Sequence, residues 1–512
     1  MTKKNEEWYH VQPTKETSVK PQVNANIHTT CFSLQELEEI LLTSNVPMAK
    51  AAYAVKDRSG QVAFEGTYCS ADQETYEYAL KEILPLGEWK SYETKDGAFL
   101  LEMEIELCSG QVLSGYAAFK CVLHEGTTST EVPEKDLLER LAAIPIAKPG
   151  MSTDELRKIC LDFMRLQSQF PYKLNHEYSY VIESQKRLRI LRPGIVHGGL
   201  PYVTVGAGSL YRVAEYYDPA TGMLDTAADI FQSPRVFGNA CSGNACISWS
   251  RVVTSIKSGY TPCMTKANGY LPVGPYQYSR DVKAFVRASV DPDGYDCKDI
   301  CRENGEQVMF ESYAAMEPAD GVGCNGHVCM NAVKPVVVRL ADGSIDVDQS
   351  FCLMVEQVCY TIHPNHLRIH PDGSHYTAQG YVDIKYTFKE LFDTNYIPFT
   401  FAELIGEKEV ELAKVELSCG SEKSALTVEE LKETTLFANY PISDVFISVR
   451  DAAGAEIYRY IYRAEDFFIK EVSFGEILPW EQMKGFGGNA LVITSRLYNG
   501  ELLEVFNGTL LG

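Results

Sequence analysis

The chain has 512 residues, 69 acidic and 47 basic, for a formal net charge of −22. That balance excludes the basic patches that phosphate backbones and anionic membrane surfaces require, so no nucleic-acid partner is expected. A 45% hydrophobic content supplies full cores, and no run of ~18 apolar residues is present to span a membrane.

Taken in order, residues 1–29 are a polar lead-in with lysines but no apolar segment of the kind a secretory leader carries. As it stands the chain suits the cytoplasm; had a leader been removed, it would belong to the cell envelope or the exterior, and the compartment stays open. Fifteen cysteines lie scattered without compact spacing, which argues against a disulfide framework and for a reducing or anaerobic setting.

Residues 33–60 then align without gaps on 427–454, at a constant offset of 394. Nine of the twenty-eight pairs are identical, among them Leu37/Leu431, Asn45/Asn439, Pro47/Pro441 and Gly60/Gly454. EILP at 82–85 meets EILP at 476–479 in the same register, and after a four-residue slip Leu107–Gly110 meets Leu497–Gly500. Both copies alternate Val, Ile, Tyr and Phe in short runs broken by D-x-x-G and S/N-G turns. This predicts two related β-sandwich, Ig-like domains at 30–125 and 401–512.

Between the copies, 126–150 reads as a polar linker with one short helix, DLLERLAAI. Ser152 followed by Glu155 is a capping-box signature that opens an amphipathic helix to Gln169. The remainder of 151–400 mixes strand-like runs, Gly-rich loops and one further helix, and is expected to be an α+β domain.

The chemistry concentrates in that middle. After Cys241 the apolar residues Ala245, Trp249, Val252, Val253 and Ile256 recur at helical spacing, so Cys241 is expected at a helix start. There, unpaired N–H groups and the helix dipole favour thiolate. Ser242 is positioned to cap the helix, and Gly243 lets backbone or ligand approach closely. His327 opens an alternating run in which Cys329 and Asn331 share its face, as expected of a strand. A helix-mounted Cys with a strand-mounted His is the pairing that acyl-transfer cysteine enzymes use.

Three segments in this order, GGLPYVTVGAG (198–208), NACSG (239–243) and PADGVGCNGHVCM (318–330), resemble those of the NlpC-type and CHAP-type cysteine peptidases and amidases. The resemblance implies a papain-like fold for the middle domain, Cys241 as nucleophile, His327 as base and later acid, and Tyr202 as a hydroxyl lining the site. It also implies a Glu after the GHV strand to orient the imidazole, and LMVEQ supplies Glu356 with Gln357 beside it. Val358 stands where the CHAP pattern has Asn, and a hairpin-like insertion, PVVVRLADGSID, separates His327 from Glu356. Asp346, Asp348 and Gln357 compete with Glu356 for the third place. The implied substrate class is a peptide amide such as a peptidoglycan stem peptide, with Ser242, Gly243 and Gln357 near it.

No cofactor or metal is expected. Cys297, Cys301, Cys324 and Cys329 depart from zinc-ligand spacing, and His363, His366, His370 and His375 sit on a Pro- and Gly-punctuated stretch that reads as a polar turn. Two other functions fit the residues: a non-catalytic binding or envelope-associated protein that keeps the fold, and a transglutaminase-like acyl transferase. The oligomeric state is not legible.

Overall fold

The computed structural model describes residues 23–25, 31–32, 40–56, 62–69, 75–84, 97–121, 137–183, 187–191, 193, 197–256, 263–358, 380–420 and 423–512. The architecture is mixed α+β with several sheets. The four His of 363–375 fall outside the described residues.

Each end of the chain forms a three-stranded and a five-stranded sheet. In the N-terminal unit the smaller sheet runs Val23–Ala25, Leu41–Ser44, Glu77–Ala79, and the larger Cys31–Phe32, Val112–Cys121, Gly97–Leu107, Met48–Lys56, Val62–Cys69. In the C-terminal unit the corresponding orders are Val415–Leu417, Thr435–Ala438, Glu471–Ser473, and Ala425–Thr427, Leu502–Leu511, Ala490–Leu497, Ile442–Arg450, Glu456–Arg463.

The sequence offset reappears as strand register. Lys50 pairs with Cys69 as Asp444 pairs with Arg463, and the ladder is interrupted at Val55/Lys56 in one copy and at Val449/Arg450 in the other. Each pair of sheets encloses its own core: Leu42, Met48, Val55, Tyr78 and Ile105 in the first copy, Leu436, Ile442, Val449, Val472 and Ile493 in the second. Bulges that recur at matched positions are features of the backbone plan, since an extra residue in one strand re-aims every side chain after it.

The middle of the chain has its own sheet of six antiparallel strands, in the order Leu271–Pro272, Ile397–Thr400, Gly321–Cys324, His327–Asn331, Phe351–Gln357, Gly380–Thr387. Helix Thr153–Gln169 begins with the capping box read from sequence: Ser152 Oγ accepts from the Glu155 N–H, and Glu155 accepts from the Ser152 N–H. Its buried face, with Leu156, Ile159, Phe163 and Met164, lies against the sheet together with helix Cys241–Trp249. The linker helix Leu137–Ala143 also joins this core through Leu141, and the core continues past residue 400 to Phe401, Leu404 and Val410.

The helix after Cys241 is shorter than its apolar spacing predicts. It ends at Trp249, and Val252, Val253 and Ile256 are buried in the turns that follow. Helical spacing and burial coincide there without helix, because the core surrounds this segment on every side.

The C-terminal unit is fastened to the middle one. Arg212 and Asp444 are both fully buried, with Nε to Oδ1 at 2.8 Å, and Arg212 also donates to the carbonyls of Ala207, Val236, Ser443 and Ala464. Arg463 adds bonds to Asp444, Glu215 and Asp229, Tyr498 Oη donates to the Ala207 carbonyl, and Phe467 packs into the middle core. At the matching positions of the N-terminal copy stand Lys50 for Asp444, Cys69 for Arg463 and Glu106 for Arg496. Two of the three reverse sign, so the two copies cannot occupy the same seat.

Candidate active site

Cys241 is the first residue of its helix, with Ala240 as N-cap. Ala240 has no side chain to accept from the helix, and Ser242 lies inside the first turn, so the capping role expected of Ser242 is not its position. The residues of the first turn, Cys241 to Asn244, are buried. Gly243 is required: a Cβ there would stand 2.7 Å from the Gly206 carbonyl oxygen. A backbone bridge between Tyr202 and Asn239 lays the Gly-rich segment alongside the helix entrance, two residues ahead of Cys241. Tyr180 Oη, donating to the Tyr202 carbonyl at 2.9 Å, steadies that segment.

His327 is delivered by a hairpin. Strands Gly321–Cys324 and His327–Asn331 are joined by Asn325-Gly326, with Cys324 paired to His327 and Gly326 at φ 126°. Asn-Gly is the dipeptide that suits a two-residue turn, because a positive φ costs glycine little. The turn sets His327 as the first residue of its strand, against the entrance of the Cys241 helix.

Met330 pairs with Val355, which extends to put Cys329 opposite Glu356 and His327 one pleat further along the same face. Glu356 is fully buried, and its Oε2 lies 2.8 Å from His327 Nε2. Cys329 Sγ donates to the same oxygen at 3.2 Å, and Tyr386 Oη lies 3.0 Å from Oε2 and 3.2 Å from Oε1. Gln357 faces elsewhere: its Nε2 donates to the Leu200 carbonyl at 2.7 Å and ties the strand to the Gly-rich segment.

The side chains of Cys241 and His327 act on each other. With Nε2 held by Glu356, Nδ1 is the ring atom left for the thiol. Burial alone would raise the Cys241 thiol, but the bond to His327, its charge, and the N–H groups of Val328 and Ser242 outweigh it and bring the thiol below its ordinary range. Burial likewise opposes the imidazolium. Cys329, Cys241 and Glu356, all turned on the ring, hold His327 well above the usual histidine value. Both shifts favour a thiolate–imidazolium pair beside the Glu356 carboxylate.

The other cysteines differ in kind. Burial pushes the thiols of Cys246 and Cys329 up to about 12, and Cys297 and Cys301 rise for the same reason on helix Cys297–Ala314. Cys324 adjoins Cys297 and Cys301, while Cys329 turns to Glu356, so the four do not converge as one ligand set. The group whose ligand atoms could hold a metal, among the described residues, is His327, Cys329 and Glu356, within 4.8 Å of one another. Its shortest distance is the direct Nε2–Oε2 hydrogen bond of 2.8 Å, which places the imidazole and carboxylate on each other.

Comparison with protein-family models and with curated proteins finds no match. Among solved structures, CopC from Methylosinus trichosporium OB3b aligns at 17% identity over 17% of this chain and 78% of its own, with a TM-score of 0.13. Trypsin-activated alpha-2-macroglobulin from Escherichia coli aligns at 9% identity and a TM-score of 0.14. That alignment covers 95% of this chain, which spans only 30% of the length of that one. Neither likeness informs the site, whose reading rests on its own geometry.

Sequence reasoning brought Cys241, His327 and Glu356 forward, and the structure places these three in contact. It did not find Tyr386 or the role of Cys329 as a donor to Glu356. Cys329 was legible as a same-face neighbour of His327; Tyr386 lies on a different strand, Gly380–Thr387, and no local pattern links it to residue 356.

Proposed function

We propose that the protein is a cysteine-dependent amide hydrolase acting on peptide amides, with peptidoglycan stem peptides as the class that the resemblance suggests. The observation that carries this reading is the line Cys241–His327–Glu356, in which the imidazole lies between the thiol and a buried carboxylate that also accepts from Tyr386 and Cys329. The same reading takes the middle unit as papain-like and the flanking units as Ig-like. It is supported by a helix-mounted thiol facing a strand-mounted His, and by the matched sheet orders at the two ends.

On this reading the Cys241 thiolate attacks the amide carbonyl carbon, and the charge forming on the carbonyl oxygen meets the N–H groups at the helix entrance. His327 gives its proton to the departing amine, leaving a thioester on Cys241. Neutral His327 then takes a proton from water, which adds to the thioester and releases the acid. Glu356 keeps the ring in one tautomer and stabilises its charge in both halves.

Alkylation by iodoacetamide tests the pair directly. Because the Cys241 value is lowered, its thiolate persists as pH falls below the ordinary thiol range and is lost only on falling through the lowered value. Because the His327 value is raised, the imidazolium persists above the ordinary histidine range and is lost as pH rises through the raised one. Cys241 should therefore be alkylated rapidly at about pH 6, with Cys246 and Cys329 inert. Uniformly slow labelling would favour the non-catalytic binding reading.

Replacing Glu356 by Gln removes a charge that favours imidazolium, so the alkaline limb of the kcat/KM profile should move to lower pH. Activity should fall ~100- to 10,000-fold, the scale on which an orienting carboxylate acts. Gln357→Ala should be milder and leave that limb in place. A larger loss from Gln357→Ala in a folded protein would transfer the orienting role to the amide.

A further inference from the structure

A cavity of about 470 Å3 lies where the C-terminal unit meets the middle one. Val205 and Arg235 form one wall, and Tyr462, Glu465, Asp466 and Ile469 form the other. Both walls lead to the reactive helix. Gly206, next to Val205, has its carbonyl oxygen 2.7 Å from where a Cβ on Gly243 would stand, and Phe467, next to Asp466, has Cδ1 3.5 Å from the same point. Gly243 is two residues after Cys241.

The charges around the cavity are unevenly satisfied. Arg463, which also borders it, is committed to Glu215, Asp229 and Asp444 at 2.7 to 3.1 Å. Arg235 is bonded to Glu183 at 2.9 Å. Among the described residues neither Glu465 nor Asp466 has an ion-pair partner; Asp466 accepts only the Phe467 N–H, at 2.9 Å, and Arg235 acts on it from a distance. Burial raises Asp466 to about 6, as befits a carboxylate without a close cation. Two uncommitted carboxylates beside the ring of Tyr462 form a setting that suits an ammonium group, which gains from both charge and aromatic face.

We propose that this cavity binds a primary ammonium group of the peptide whose amide Cys241 attacks, so that the C-terminal β unit supplies a recognition subsite. The proposal rests on the amide-hydrolase reading for its substrate. The ammonium is either the α-amino group of the peptide or the side-chain amine of a lysine-like residue, and the chemistry of recognition is the same.

The test uses the full chain carrying Cys241→Ala, which binds without turnover. Calorimetry would compare tetrapeptide amides of varied sequence, each with a free or acetylated α-amine and with or without a lysine. The expected result is about tenfold tighter binding of one amine-bearing form, α or ε, over its acetylated or lysine-free counterpart. The double substitution Glu465→Gln, Asp466→Asn should erase that preference while leaving binding of the uncharged counterpart in place. Equal binding of both forms, a preference that survives the double substitution, or no binding of any peptide would overturn the proposal. Labelling of Cys241 in the unsubstituted chain separates the two readings: a reactive thiol without amine preference sinks the subsite alone, and an amine preference with an inert thiol sinks the hydrolase alone.

Discussion

Cys241→Ala should abolish amide turnover, with a loss on the order of a million-fold in kcat and no compensating change in KM. The size follows from what is removed: without sulfur there is no nucleophile, and His327 and Glu356 have nothing to activate. Alanine is a strong helix former and the smallest change at the first helical position, so the fold should survive. The control is Cys246→Ala, four residues into the same helix beyond Ser242. Its thiol is buried 3.9 Å from Tyr270 Oη and pushed up to about 12, so activity there should stay within a few-fold. The measurement is hydrolysis of a peptide amide by both variants, alongside circular dichroism. More than about one per cent residual turnover in Cys241→Ala would remove it from the chemistry, because the enzyme-independent background of such sites is far lower.

Arg212→Ala should destabilise the joined middle and C-terminal units by about 3–5 kcal/mol, since it leaves a buried carboxylate without its nearest partner. The guanidinium meets Asp444 and four backbone carbonyls drawn from both units, and all five lose a donor at once. Arg463 remains at 3.1 Å from Asp444, so the carboxylate keeps one cation and the loss should stop short of unfolding. Replacing both partners, Arg212→Met with Asp444→Leu, should recover much of the stability, because an apolar pair leaves no charge stranded. Calorimetric unfolding of the two variants decides it: a double variant as unstable as the single one would mean that the bonds to the carbonyls, rather than the ion pair, hold the units together.

Much of this molecule is written in local sequence. The capping box at Ser152 and Glu155 starts the helix that the spacing predicts, since both bonds are made within one turn. Asn325-Gly326 closes the hairpin that makes His327 a strand residue. The 394-residue offset is legible because strand order and register are carried by the alternation of side chains, and an insertion changes them only where it falls, as at Leu107 and Leu497.

Other features depended on contacts that no local pattern encodes. Glu356 and Gln357 were both available to His327 in sequence, and the Met330–Val355 register, with the irregularity between Met354 and Glu356, decided between them. Tyr386 reaches Glu356 across the sheet from thirty residues away. The end of the Cys241 helix at Trp249 was set by the surrounding core, which buries Val252, Val253 and Ile256 whether or not they are helical. The sequence by itself determined the two repeats, the helix start at Cys241 and the strand at His327, because each rests on bonds or spacings within a few residues. Only the tertiary structure decided which repeat docks beside the site, because the Arg212–Asp444 pair joins residues 232 positions apart and its stability comes from burial that neither residue has alone.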